Sequence, residues 1–227
     1  MGILGAVLAA VVVLSGVCAA APAAPRETVF LIHGMGRTRA SLALLAWRLR
    51  REGYRTVNVP YNQAAEGLDD ISARLRRTVA RESGGRRYHF VAHSLGNVVV
   101  RNGFKEGYPP GLGRVVMLAP PNASPRLARK LKGVLPYRWV TGESGRRLAD
   151  PGFYDGLPVP PVEFGVIAGD KGQRLTFDEP NDGIVTVSET RLAGMKEHVV
   201  LRRTHTFLMN APEVPALCAS FLKSGRF

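Results

Sequence analysis

The stretch Tyr88-His89-Phe90-Val91-Ala92-His93-Ser94-Leu95-Gly96-Asn97-Val98-Val99-Val100 decides the fold. Residues 88–91 read as a strand buried on both faces, and the apolar run that begins at Asn97 reads as a helix. Ser94 stands at the junction, with the small residues Ala92 and Gly96 two places to either side. That is the pattern of a nucleophile elbow. The turn lifts a serine hydroxyl above the sheet, and bulky side chains at the ±2 positions would collide where strand and helix cross.

Outward from this stretch the same alternation repeats. Continuous apolar runs at 28–32, 55–59, 88–91, 114–118, 162–168 and 198–201 predict six strands. Unbroken rather than alternating hydrophobicity places them in a mainly parallel sheet covered on both faces. Helical spacing fills the gaps. Leu42, Leu45 and Leu49 share one face, Leu68, Ile71, Leu75 and Val79 another, and a last helix begins near Pro212. Strand and helix in alternation give right-handed βαβ units and an α/β fold. Residues 120–161 depart from the pattern, with scattered Pro and Gly and short apolar clusters. A long irregular segment in that position predicts a lid or a pocket wall, with Tyr137, Trp139, Phe153 and Tyr154 as aromatic candidates.

The N-terminal segment is of another kind. Residues 2–25 carry no charged side chain, residues 3–17 are almost wholly aliphatic, and 18–24 are small and Ala-rich. Residues 1–24 are therefore expected to be a secretory signal peptide, which makes the protein exported, either periplasmic or secreted. A membrane anchor through residues 3–24 is the alternative, because the segment starts without Lys or Arg and the uncharged run is long. Residues 25–227 then form one domain, ample for a buried core at 45% hydrophobic residues overall. With Cys18 in the leader, Cys218 is alone, and its apolar helical face makes it a small buried hydrophobe.

The net charge of +13 comes mostly from arginines spread along the chain, without aromatic interleaving or a nucleic-acid motif. A solvated basic surface is the plainer reading, and nucleic acid is not an expected partner. Weak association with an anionic membrane surface is the functional alternative. No His or Cys spacing suits a metal, and neither phosphate-loop motif is present.

A serine hydroxyl needs a base to act as a nucleophile near neutral pH. Of the five histidines, His205 lies just past the last strand, in Thr204-His205-Thr206-Phe207, where parallel sheets hold their sites. The imidazole in turn needs a carboxylate to fix its tautomer. Asp182, in Asn181-Asp182-Gly183-Ile184-Val185, is the first choice, although Asn-Asp-Gly is also simply a good turn. Asp170, directly after the strand at 162–168, competes with it. Two backbone donors are needed for a developing oxyanion. Leu95 N–H supplies one, and Met35 N–H, in His33-Gly34-Met35-Gly36, the other.

The order Ser94, Asp182, His205, together with Phe30-Leu31-Ile32-His33-Gly34-Met35-Gly36 and Ala92-His93-Ser94-Leu95-Gly96, resembles the α/β-hydrolase superfamily, specifically its small bacterial lipase/esterase group. The resemblance runs from Thr28 nearly to the C-terminus, with Ala92 standing where Gly is common. It implies hydrolysis of carboxylic esters, small or lipid, through an acyl-enzyme on Ser94 and without a cofactor. Thioesterases and acyltransferases share the triad, and a hydrolase-fold binding protein without turnover is the reading from another class.

Overall fold

A computed structural model describes residues 26–131, 135–173 and 177–227. The expected leader at 1–24 lies outside the described residues. Six strands form one sheet: β1 (Thr28–Ile32), β2 (Arg55–Val59), β3 (Tyr88–His93), β4 (Leu112–Leu118), β5 (Phe164–Gly169) and β6 (Glu197–Leu201). Their order is β2-β1-β3-β4-β5-β6 and every pair is parallel. The helices α1 (Ala43–Arg51), α2 (Leu68–Ser83), α3 (Leu95–Gly103) and α7 (Val214–Ser224) cross between and beyond the strands.

The pleat divides the apolar residues of each strand between two cores. Val29, Leu31, Val91, Val116 and Ile167 pack with Leu45 and Leu49 of α1 and Val214 and Phe221 of α7. Phe30, Ile32, Phe90, Val115 and Val166 pack with Leu68, Leu75 and Val79 of α2 and Val98 and Val99 of α3. This is why the strands read as unbroken apolar runs: both faces are covered. α2 starts with Asp69 and Asp70 in its first turn, which suits the positive end of the helix dipole, and stops at Gly84, held at φ 58°.

Strand ends differ from the sequence reading in understandable ways. β5 begins at Phe164 rather than 162, since its pairing with β4 starts at Val115 and Phe164, with Glu163 O accepting the N–H of Val115 at 3.1 Å just before it. β3 continues through His93, so the chain stays extended until the residue before the serine.

The larger difference is the segment 120–161, which is not irregular throughout. It holds α4 (Arg126–Leu131), α5 (Leu135–Leu148, broken at Gly142) and α6 (Pro151–Asp155). Asp150 caps α6 by accepting the N–H of Gly152 at 3.0 Å, and Pro151 takes the first helical position, where a missing N–H costs nothing. Ala128, Leu148, Ala149 and Tyr154 enter the core beside α2 and α3. Phe153 stacks edge-on against Tyr154 at 5.5 Å. The side chains of Tyr137 and Trp139 lie outside the described residues.

Both ends of this segment are tied to α3 by one side chain. Arg101 is buried, among the described residues without a carboxylate partner, and its guanidinium donates to four oxygens. They are Pro158 O at 3.0 Å, Leu157 O at 2.8 Å, Asn122 Oδ1 at 3.2 Å and Asn122 O at 3.4 Å. Burial pushes its pKa down to about 10, so it stays charged at neutral pH. Arg101→Met keeps the apolar stem and leaves these acceptors facing an apolar wall. We expect a loss of about 3 kcal/mol in urea unfolding, since one orphaned buried acceptor costs about 1–3 kcal/mol. A loss below about 1 kcal/mol would show that the acceptors find other donors.

Candidate active site

Ser94 follows the last residue of β3 with φ 52° and ψ −124°, a conformation rare for a residue with a Cβ. Among the described residues only Ala119, at φ 42° beyond β4, shares a positive φ without being glycine. The two are neighbours across the ladder, for Ser94 N–H donates to Leu118 O at 2.9 Å. Asn97 adds a brace, its Nδ2 donating to Ser94 O at 3.1 Å and Leu118 O at 3.2 Å. Gly96 makes the crossing possible: a methyl there would collide with the carbonyl oxygens of Ile32 and His33. Gly34 clears the other side, where a Cβ would stand 3.0 Å from that of Ser94.

The structure brings Ser94, His205 and Asp182 into one hydrogen-bonded row, although 111 and 23 residues separate the successive pairs. His205 Nδ1 lies 2.7 Å from Asp182 Oδ2, and Nε2 lies 2.8 Å from Ser94 Oγ. A carboxylate only accepts, so the imidazole carries its proton on Nδ1 and Nε2 accepts from the serine hydroxyl. Asp182 is rigidly held. Its Oδ1 accepts from Ile184 N–H at 2.9 Å and Val185 N–H at 2.8 Å, and its carbonyl accepts from His205 N–H at 2.9 Å. The Asn-Asp-Gly turn and the histidine's partner are therefore the same feature, with Gly183 at φ 99° allowing the reversal. Asp170 is exposed and lines a separate cleft with Lys171, Asn181 and Arg202.

The row opens into a cavity of about 360 Å³ lined mainly by apolar groups. Met35, Gly36 and Arg37 form one wall, Pro121, Pro125, Leu127, Ala128 and Leu148 another, with Ile184 and Val185 beside Asp182. Thus the segment 120–161 supplies one side, through its start, α4 and the last residue of α5 rather than through Phe153 or Tyr154. Leu95 is the first residue of α3, where backbone N–H groups have no intrahelical acceptor.

Several supporting residues escaped the sequence reading. Buried His93 donates from Nε2 to the carbonyl of His205 at 3.0 Å, which fixes the proton on that nitrogen. Its ring stands 4.9 Å from the ring of His205. Tyr61 stacks on His33 at 4.0 Å, and its hydroxyl donates to His33 O. His33 Nδ1 donates to Gly34 O at 2.9 Å. With both carbonyls engaged, the loop leading to Met35 is held in place. Tyr61 comes from the chain after β2, so no local pattern links it to His33.

Burial lowers the pKa of His33, His89 and His198, and lowers that of His93 well below its usual 6.5. For His93 the neighbouring His205 adds to the same effect. Each of these groups binds fewer protons folded than unfolded below pH 6.5, so stability rises with pH there. It is fully present above the unfolded value and is lost as pH falls from 6.5 toward the lowered folded values. We expect urea-unfolding stability to drop by up to about 1.4 kcal/mol per pH unit for each histidine kept neutral. The acids with lowered pKa, such as Glu163 and Asp69, act only below their ordinary values of 4.5 and 3.8. A flat stability profile between pH 7.5 and 5.5 would contradict the neutral-histidine picture.

No protein-family model matches the chain, and no curated protein does. Solved structures do. The mature form of a lipase from Bacillus licheniformis matches with a TM-score of 0.71 at 17% identity, over 89% of this chain and 93% of that one. A metagenomic carboxyl esterase matches with a TM-score of 0.65 at 17% identity, over 88% and 76%. A phospholipase from Legionella pneumophila gives 0.64 at 17%, over 85% and 57%. At such identities the likeness is one of architecture, and with its parallel six-stranded sheet and its serine on the turn after β3, the chain has the α/β-hydrolase fold.

Proposed function

We propose that the protein hydrolyses carboxylic acyl esters through an acyl-enzyme on Ser94, and that residues 1–24 direct its export. The reading rests above all on the hydrogen-bonded row of Ser94, His205 and Asp182 at the floor of an apolar cavity. His205 Nε2 takes the hydroxyl proton as Ser94 Oγ attacks the ester carbonyl. The imidazolium that forms is stabilised by Asp182, whose remaining oxygen is already satisfied by two backbone N–H groups. The tetrahedral oxyanion is held by the N–H groups of Leu95 and Met35. His205 then returns the proton to the leaving alkoxide, and a water activated by the same base releases the acid.

Three features favour an ester with an apolar acyl group. The cavity is lined mainly by apolar groups, the only cation on its wall among the described residues is Arg37, and its volume falls within the range of small-molecule sites. Lipases, esterases and a phospholipase among the structural neighbours agree with this reading. The strained turn at Ser94 supports it too, since backbone strain of about 1–3 kcal/mol persists where the surroundings over-determine it.

Purified protein is expected to hydrolyse p-nitrophenyl esters within the C2–C16 series, the preferred length reporting the cavity's depth. Ser94→Ala should lower kcat by a factor on the order of 10⁴ or more. Asp182→Asn should cost about 10⁴, as the equivalent change does in a serine protease, while Asp170→Asn stays near wild type. If Asp170→Asn is the crippling change, the carboxylate has been misassigned. Absence of turnover on every ester length, with thioesters and transfer to alcohols also silent, would leave a binding protein.

A further inference from the structure

Glu189, in the 3₁₀ turn Ser188–Thr190, is a buried carboxylate that takes no part in the row of Ser94, His205 and Asp182. The stretch Thr186-Val187-Ser188-Glu189 carries the reciprocal bonds of a capping box. Thr186 Oγ1 accepts the N–H of Glu189 at 3.3 Å, and Glu189 Oε2 accepts the N–H of Thr186 at 2.9 Å. That local role uses one carboxylate oxygen. The other reaches 63 positions back along the chain and accepts the N–H of Arg126, the first residue of α4, at 2.7 Å. The carbonyl of Glu189 accepts in addition from Asn122 N–H at 3.0 Å and Ala123 N–H at 3.3 Å.

The two N–H groups that meet on this carboxylate belong to two different walls of the cavity. Arg126 stands between Pro125 and Leu127, with Ala128 next, and these three line one wall. Thr186 follows Ile184 and Val185, which line the wall beside Asp182. The second wall is also held by its own bonds, since Ile184 and Val185 N–H donate to Asp182 Oδ1. The start of α4 has less to fix it. The Arg126 side chain pairs with Asp178 and Glu179, but it is exposed, and exposed pairs of this kind hold a backbone weakly.

We propose that Glu189 is a positioning residue that sets the separation of these two walls and thereby selects acyl groups by their breadth. That the ligand is an acyl ester rests on the hydrolase reading above. The chemistry asks for an acid at this place. Two N–H donors converge on one side chain, and a carboxylate offers an acceptor to each. An amide of the same shape offers one oxygen and turns its NH₂ toward the second donor. A buried N–H without an acceptor is costly, so the start of α4 relaxes away from the turn until water or another acceptor reaches it.

The test compares kcat/KM for p-nitrophenyl hexanoate and p-nitrophenyl 3,3-dimethylbutyrate, esters of equal carbon count that differ in breadth. Glu189→Gln should shift the ratio toward the branched ester by about ten-fold, the order of discrimination a pocket shows for one methylene. The kcat on the hexanoate should stay close to wild type. Arg126→Pro removes the same N–H from the other side, at the first helical position, where proline fits. It should give the same shift, and the double variant should go no further, because both changes cut one bond. Arg126→Gln keeps the N–H, loses only the ion pairs and should keep the wild-type ratio. An equal loss on both esters would make Glu189 a brace without a part in selection and overturn the proposal. So would an unchanged ratio in Glu189→Gln, or the same shift in Arg126→Gln. Should Glu189→Gln not fold, Arg126→Pro against Arg126→Gln carries the same comparison. A wild-type protein that hydrolyses no ester sinks the hydrolase reading alone. Displacement of anilinonaphthalene sulfonate by 1-hexanol and by 3,3-dimethyl-1-butanol then reads the breadth of the cavity, with the same shift expected and an unchanged ratio again fatal.

Discussion

The close crossing of β3 and α3 over the end of β1 is the constraint on which the rest of the structure depends. A parallel sheet brings the carboxyl ends of its strands to one edge, but a side chain is presented there only if the chain turns sharply after its strand. Ser94 makes that turn in a conformation that costs about 1–3 kcal/mol, and its neighbours hold it there. Its N–H is fastened to Leu118 O, and its carbonyl to Asn97. The turn also needs space. At Gly96 any side chain would strike the carbonyls of Ile32 and His33. At the −2 position a methyl is small enough, since Ala92 is fully buried in the core between Ile32 and Met117 on the flanking strands.

Around this crossing the fold places neutral imidazoles where a charge would be expensive. His33 and His93 are buried, and each uses one ring nitrogen to hold a backbone carbonyl of the site: Gly34 O for the first, His205 O for the second. A lysine or arginine could donate the same bonds, but it would carry a permanent charge into the region where His205 becomes an imidazolium in the proposed reaction. A neutral donor orients His205 without raising the cost of that charge. Asp182 supplies the opposite sign from the far side, anchored by Ile184 and Val185 N–H so that it cannot turn away from the ring.

The sheet and the three residues of the row were legible in the sequence because each rests on a local signal. Apolar runs mark strands covered on both faces, and the elbow carries its small flanking residues within five positions. Asp182 and His205 each fall in the loop beyond a strand. What was not legible depends on partners far apart. His93 contacts a carbonyl 112 residues away, and Arg101 reaches residues 21 and 56 positions distant. Arg101 was also hidden by α3 itself, whose residues are buried all round, so that the helix has no polar face for an arginine to mark. The helices of 120–161 were obscured for another reason. They run for 6, 14 and 5 residues, the middle one broken at Gly142, which is too short for apolar spacing to declare itself.

Arg101 also bears on how this segment can serve the cavity. Its four bonds gather Asn122, near the start of the segment, and Leu157 and Pro158, near the end, onto the helix that begins with Leu95. Asn122 is fixed a second time, donating to Thr190 O at 2.8 Å, and Glu189 accepts the N–H of Arg126 at 2.7 Å and that of Thr186 at 2.9 Å. The two ends of the segment are therefore built into the same polar network that carries the Asp182 turn toward β6. Pro121 and Pro125, close to the clamped end, keep a fixed relation to Ser94. Leu127, Ala128 and Leu148 lie farther along, on helices held by apolar packing and surface ion pairs such as Arg126 with Asp178. A change in the width of the cavity must come from that inner part. A shift of its apolar wall at Leu148 would break the buried bond that Ser124 Oγ donates to Leu148 O at 3.1 Å, whereas displacing either end would take the carbonyls of Asn122, Leu157 and Pro158 from the charge of Arg101.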